Sequence, residues 1–124
     1  MKLFHTYDRC RGLTLWRWGR LNVELWFCPA GYEIVPHSHP LEDIELVPLF
    51  GWCDFHRKSE IGNQKSEMVS CSPKRWFRKH SVPAGWVHWF KVGRKVPLVF
   101  LNIARWKPGV PITSASEDFL VAAP

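Results

Sequence analysis

Two histidines separated by one residue, His37 and His39 in the segment HSHP, are the first residues in this chain whose spacing could do chemistry. In an extended strand, residues two apart project from the same face. Both imidazoles would then point one way and form a two-toothed clamp for a divalent transition-metal ion. A third imidazole follows in PAGWVH. There Pro83 and Gly85 set a turn, and His88 enters the strand that leaves it. If that strand runs back beside the first, His37, His39 and His88 share one face and one ion. Trp86 and Phe90 would look the same way as His88, and Val87, Trp89 and Lys91 the other way. His5, His56 and His80 fit no such pattern and read as ordinary surface or core histidines.

Strands must position these side chains. RLNVELWFC (20–28) places Leu21, Val23, Leu25 and Phe27 on one face and Asn22 and Glu24 on the other, the pattern of a half-buried strand. LTLWRW (13–18) precedes it across Gly19 as the other arm of a hairpin. PAG (29–31) turns the chain into YEIVPHSH, which Pro36 demotes to an edge or bulged strand. IELVPLFGWCDFHRK (44–58) is strand-like, with breaks at Pro48 and Gly51. SEIGNQKS (59–66) reads as a hairpin loop, and MVSCS and KRWFRKHSV as two short strands around Pro73. WVHWFKV (86–92) and PLVFLNIARW (97–106) are the last strands. Ser114 with Glu117 three residues on is the capping-box start of a short helix. Turn signals about every ten residues predict an all-β sandwich or small barrel.

The chain has 124 residues, 46% hydrophobic and 23% charged, which suits one globular domain. Eight Trp and eight Phe supply core, pocket wall or an oligomer surface, and a homodimer is expected because eight indoles are hard to bury in one small barrel. Net charge is +6, densest in KRWFRK (74–79) and KVGRK (91–95). These clusters read as solvated strand faces and a turn, and no nucleic-acid-binding signature accompanies them. Cys10, Cys28, Cys53 and Cys71 are widely spaced, with no Cys-x-x-Cys pair, and no secretory segment precedes them. A cytoplasmic protein with reduced thiols is expected. No apolar run has the length of a membrane span.

The two histidine segments resemble the paired motifs of the cupin superfamily. The first family motif runs Gly-x5-His-x-His-x(3,4)-Glu-x6-Gly, and this chain has Gly31, His37, His39 and Gly51 at that spacing. The second runs Gly-x5-Pro-x-Gly-x2-His-x3-Asn, and this chain has Pro83, Gly85 and His88, with Phe77 and Val92 in place of the outer glycine and asparagine. The resemblance covers roughly residues 13–106. It implies a double-stranded β-helix, or jelly-roll barrel, over a single cupin domain of residues 1–124, with 107–124 as a short C-terminal tail. It also implies a metal in the barrel mouth. The family glutamate falls at Asp43 or Ile44, with Glu42 and Glu45 beside them. Asp43 fits the shorter spacing. Glu45 shares the parity of Val47 and Leu49 and would face inward after a one-residue insertion. The count from His39 to Gly51 aligns Ile44 instead. The expected ligands are therefore His37, His39 and His88, with Glu45 or Asp43 as a fourth, or three histidines alone.

Such a site accepts iron, nickel, manganese, zinc or copper and leaves positions open for water, dioxygen or substrate. The basic surface favours a small anionic molecule. The resemblance supports oxygen-dependent oxidation of the dioxygenase kind, slightly ahead of isomerase or lyase chemistry. The latter needs a base, for which Tyr32, Glu33, Glu45 and His80 are candidates. Trp26, Trp52, Trp86 and Phe90 are expected to line the pocket. A non-catalytic barrel that binds a small ligand or a nucleic acid is the alternative.

Overall fold

Alternating hydrophobicity builds eleven strands among the described residues: β1 (Phe4–Tyr7), β2 (Cys10–Trp18), β3 (Leu21–Cys28), β4 (His37–Ser38), β5 (Glu42–Phe50), β6 (Cys53–Lys58), β7 (Glu67–Cys71), β8 (His80–Val82), β9 (Val87–Val92), β10 (Leu98–Trp106) and β11 (Leu120–Val121). This computed structural model describes residues 2–58, 67–71 and 80–122. The loop expected at 59–66 and most of KRWFRKHSV lie outside the described residues. The strands form a six-stranded sheet in the order β1-β2-β3-β10-β5-β8 and a five-stranded sheet in the order β11-β4-β9-β6-β7. All pairings are antiparallel. Among the described residues the sheets are not joined into a closed barrel. They face each other across one core, where Phe90 of one sheet meets Phe100 of the other edge to face at 5.9 Å.

The polarity of β3 is the reverse of the usual arrangement. Asn22, Glu24, Trp26 and Cys28 face inward and are buried, while Leu21, Val23, Leu25 and Phe27 lie on the outer face, half-buried or exposed. Buried polar groups persist only where they are partnered. Glu24 accepts from the Trp26 indole at 3.2 Å and from the Ala115 amide at 3.3 Å, and its other oxygen lies 3.3 Å from His5 Nε2. Asn22 is held by Arg17 at 3.2 Å and faces the Thr113 carbonyl at 3.4 Å. His5, expected to be ordinary, is therefore part of an interior polar network, and its own strand β1 carries no strong sequence signal.

The region after Lys107 does not form the expected helix. Ser114 caps a single turn, its carbonyl accepting from Glu117 and Asp118 at 2.9 and 3.0 Å. The chain then pairs as β11 along β4, with Leu120 opposite Ser38 and Val121 opposite His37. The segment expected to be an edge strand is thus flanked on both sides. It breaks at Pro36 and resumes at His37, where Ala122 N donates to the Pro36 carbonyl at 2.9 Å.

Gly51 turns β5 into β6 with a φ of 82°, and a Cβ there would run into the Pro97 carbonyl oxygen. Gly51→Ala therefore meets both a left-handed backbone and a hard clash. Its unfolding midpoint in urea should fall by an amount worth about 1–3 kcal/mol.

Candidate metal centre

The antiparallel register puts His37 of β4 directly opposite His88 of β9. His39 follows two residues on and completes the triangle. Ring centroids lie 4.1 Å apart for His37 and His88, 4.9 Å for His37 and His39, and 5.0 Å for His39 and His88. One nitrogen from each falls within 4.8 Å of the others, the span of a single ion's ligands. The strand that delivers His88 leaves a turn in which Trp86 N donates to Pro83 O at 3.0 Å and Gly85 takes a φ of 84°. That is a type II turn, which asks for glycine at this position. Gly85 N also donates to the His39 carbonyl at 3.1 Å, tying the two motifs together.

Two of the three imidazoles have Nδ1 committed. His37 Nδ1 donates to the Val35 carbonyl at 2.7 Å, and His39 Nδ1 to the Asp118 carbonyl. Each bond fixes the tautomer and leaves Nε2 as the free lone pair, the arrangement found in histidine metal ligands. Burial, with His39 adding its charge, lowers the His37 pKa to about 3. Burial lowers His39 to about 4 and holds His88 well below its usual value. All three are neutral at pH 7 and ready to bind a cation without losing a proton. This donor set fits a divalent transition-metal ion.

The carboxylates do not sit where the motif spacing places them. Asp43 points to the outer side, and its Oδ1 accepts from the Ala84 amide at 2.7 Å, pinning the turn before His88. Glu45 is on the same outer pleat, opposite Ile103 and Ser81. Glu45 does share the parity of Val47, for the β5–β10 register runs unbroken from Val47 opposite Leu101 to Glu45 opposite Ile103, but that pleat faces outward. Only Leu49 is out of step, where the register shifts between Pro48 and Phe50. The inward residues are Glu42, Ile44 and Leu46, and Ile44 lines the cavity where the family glutamate would stand. Glu42, which the motif count passed over, is fully buried, and its Oε1 lies 3.9 Å from His39 Nδ1, on the side away from the free nitrogen. Its parity with Ile44 and Leu46 was the available signal. Burial, with Asp118 and Glu24 nearby, raises its pKa to about 9.

The tail supplies what sequence reasoning missed. Asp118 accepts from Leu41 N at 3.0 Å through its carboxylate and from His39 through its carbonyl. The Phe119 ring stacks on His37 at 4.1 Å with 15° between planes. Together with the histidines, Phe119 lines a small cavity of about 60 Å³, room for a few waters or a very small molecule. Trp26, Phe90, Phe100, Ile34 and Leu46 make most of its wall. No lysine or arginine lines it, so the basic surface does not reach the site. Trp52 and Trp86, expected in the wall, are elsewhere: Trp52 is exposed, and Trp86 lies under Arg57 at 5.8 Å. Cys10 and Cys28 also line the cavity, with Sγ atoms 2.9 Å apart. The Cys10 contact and burial push the Cys28 thiol up, so it remains protonated.

The candidate bases are not in the cavity wall either. The Tyr32 hydroxyl is held by Asp8 at 3.1 Å, and burial raises its pKa. Glu33 pairs with Lys91 at 3.2 Å on the surface. His80 is buried 5.8 Å from Phe55, outside the lining set.

The architecture is that of the cupin-type double-stranded β-helix. CapF, a capsular polysaccharide assembling protein from Staphylococcus aureus, superposes with a TM-score of 0.75 at 14% identity, over 96% of this chain and 31% of CapF. The chain thus spans less than a third of that protein's length. The Drosophila melanogaster CENP-C cupin domain superposes with a TM-score of 0.71 at 10% identity, over 82% of this chain and 74% of that one. Oxalate oxidase gives a TM-score of 0.62 at 14% identity, over 70% and 42%. No protein-family model and no curated protein matches the sequence. No helix among the described residues is long and apolar enough to cross a membrane.

Folding takes Glu42 from an ionised carboxylate in the unfolded chain at pH 7 to a neutral acid in the core. A raised folded pKa means stability is full below pH 4.5 and is lost as pH rises toward 9. In the metal-free protein, Glu42→Gln should therefore be more stable than wild type at pH 8 and nearly equal to it at pH 4.5. The gain at pH 7 is on the order of 3 kcal/mol, read by urea unfolding across pH.

Proposed function

We propose that this chain is a single-domain, metal-dependent cupin acting on a small molecule by oxygen-dependent oxidation. The observation that carries the reading is the triangle of neutral imidazoles, two with Nδ1 tied back, at the wall of an otherwise apolar cavity. His37, His39 and His88 would hold the ion, and no carboxylate is required of it. A divalent ion with three neutral ligands would supply Lewis acidity and open positions where dioxygen and substrate bind side by side. The histidines hold that ion in place. Ile44, Phe90, Phe100 and Phe119 exclude water and orient the apolar part of the substrate.

The cavity narrows the substrate class. Without a lysine or arginine in its lining, a phosphate or polyanion would be left uncompensated. The best fit is a small molecule with one donor group, such as a single carboxylate, and an apolar body. Oxidation ranks ahead of isomerisation or elimination because no candidate base lines the cavity. The likeness to oxalate oxidase is consistent with oxidation but rests on fold alone. A cytoplasmic setting agrees with Cys10, Cys28 and Cys53 being free thiols.

Elemental analysis after anaerobic iron reconstitution tests the site directly. Wild type should retain about one metal equivalent per chain, and His88→Ala well under a tenth of that. Equal retention by both proteins would refute the assignment. In oxygen-uptake assays, Phe119→Ala should extend turnover to bulkier carboxylic acids. An unchanged substrate range would remove Phe119 from the site.

A further inference from the structure

Cys10 and Cys28 belong to no shared motif, yet the fold sets them face to face. Arg11 of β2 lies opposite Phe27 of β3, so the next pair along is Cys10 opposite Cys28. Residues directly opposite on antiparallel strands have Cα atoms roughly 4.5 or 5.5 Å apart. A disulfide asks for about 4.4–6.8 Å. The backbone therefore presents the two thiols within bonding reach, and their Sγ atoms meet at 2.9 Å. Both are buried, and both are free thiols.

Position separates this pair from an inert core contact. Both residues line the cavity that His37, His39 and His88 also line. Cys53 is equally buried but stands outside that lining. A volume of about 60 Å³ admits molecules the size of water, and hydrogen peroxide, with two heavy atoms, fits there. A maleimide does not. Tyr7 and Phe119, with ring centroids 4.3 Å apart, stand in the same wall and add bulk against larger reagents.

We propose that Cys10 and Cys28 are a dithiol that hydrogen peroxide oxidises, inside the cavity, to a reversible disulfide. In the first step one sulfur attacks a peroxide oxygen. The O–O bond breaks, leaving a sulfenic acid and releasing one water. In the second, the neighbouring thiol attacks the sulfenic sulfur. The S–O bond breaks, and the second water leaves with the thiol proton. Two thiols and one peroxide thus give one disulfide and two waters. The sulfurs together lose two electrons, and the peroxide gains them. A dithiol reductant restores the pair. The fold contributes proximity: the sulfenic acid forms with its resolving thiol already in contact, so ring closure outruns further oxidation to the sulfinic acid. Burial and the Cys10 contact keep Cys28 protonated, which makes the pair a slow reactant that needs peroxide in excess. In reducing compartments, transient disulfides of this kind are the catalytic or redox-sensing ones. The oxidation needs no ion at the histidines, so it stands or falls apart from the function proposed above.

Peptide mapping by mass spectrometry tests the proposal on metal-free protein. The folded chain is treated with millimolar hydrogen peroxide, quenched with catalase, unfolded and alkylated with N-ethylmaleimide. Wild type should yield a Cys10–Cys28 linked peptide, two hydrogens lighter than its free-thiol halves and cleaved by dithiothreitol. In Cys28→Ser, with its fold checked by circular dichroism, Cys10 has no resolving thiol and should go on to the sulfinic acid. N-ethylmaleimide added to the folded wild type should label Cys10 and Cys28 at least about tenfold more slowly than in the unfolded chain. Cys10 and Cys28 both alkylated after peroxide treatment would overturn the proposal. So would sulfinic acid at Cys10 in wild type at the dose that produces it in Cys28→Ser, because contact between the thiols would then decide nothing. Equal maleimide labelling of folded and unfolded chains also overturns it, since the cavity would not select peroxide by size.

Discussion

Two of the three buried imidazoles have their second nitrogen held by a backbone carbonyl, and much of the structure around the site follows from that constraint. A backbone carbonyl inside a sheet is already committed to the ladder. The acceptors for His37 and His39 must therefore come from chain outside it. Val35 supplies one because Pro36 breaks the strand just there. Asp118 supplies the other because the C-terminal segment folds back across the mouth. The two-residue length of β4 and the presence of β11 beside it are consequences of the same requirement. His88 Nδ1 has no such partner; the Pro-Ala-Gly-Trp turn places His88 through the backbone alone, with Asp43 fixing Ala84 from outside. Asp43 thus contributes to the site through backbone geometry, not as a ligand.

Strand β3 of the six-stranded sheet has inverted polarity, and the two faces of that sheet solve different problems. Its inner face carries Asn22, Glu24, Glu42 and Asn102, all buried. Such groups are costly unless satisfied: Asn22 and Glu24 hold the tail through Thr113 and Ala115, while the Glu42 carboxyl and Asn102 Nδ2 have no hydrogen-bond partner. Polar interior residues anchor the segment that completes the histidine cluster. The outer face carries the aliphatic side chains and rings that a lone domain would place in its core.

Much of this was legible in the sequence. The three histidines were readable because pleat period and turn chemistry are local rules: His-x-His on an extended segment, and Pro-x-Gly before a strand. The strands from Leu13 to Cys28 and from Val87 to Trp106 follow from alternation for the same reason. What failed depended on long-range register. Val47 and Glu45 share a pleat as alternation says, but that pleat faces outward, and Glu42 on the inward one was passed over. The inward side of β3 was not readable, because alternation says that two faces differ but not which one meets the core. The tail gave a capping pattern at Ser114, and local propensity yielded to strand pairing with β4. Asp118 and Phe119 carry no motif, and only the fold brings them to His39 and His37.

The cover over the histidines also sets a limit on how tightly the site is shut. Phe119 is half-buried and stacks on one ring, so its burial contributes less than the ~1.5–3 kcal/mol of a fully buried phenylalanine. The two residues of β11, the Ala122–Pro36 bond and the Asp118 contacts add hydrogen bonds worth about 1 kcal/mol each, net. The tail is thus held over the histidines by several modest contacts at once, with no single strong one. The cavity of about 60 Å³ beneath this cover has room only for a very small molecule. Opening the tail removes the carbonyl that orients His39. Ligand access and the orientation of one histidine are thus coupled through Asp118 and Phe119, adjacent residues of the tail. The same segment that caps the histidine cluster also orients one of its imidazoles.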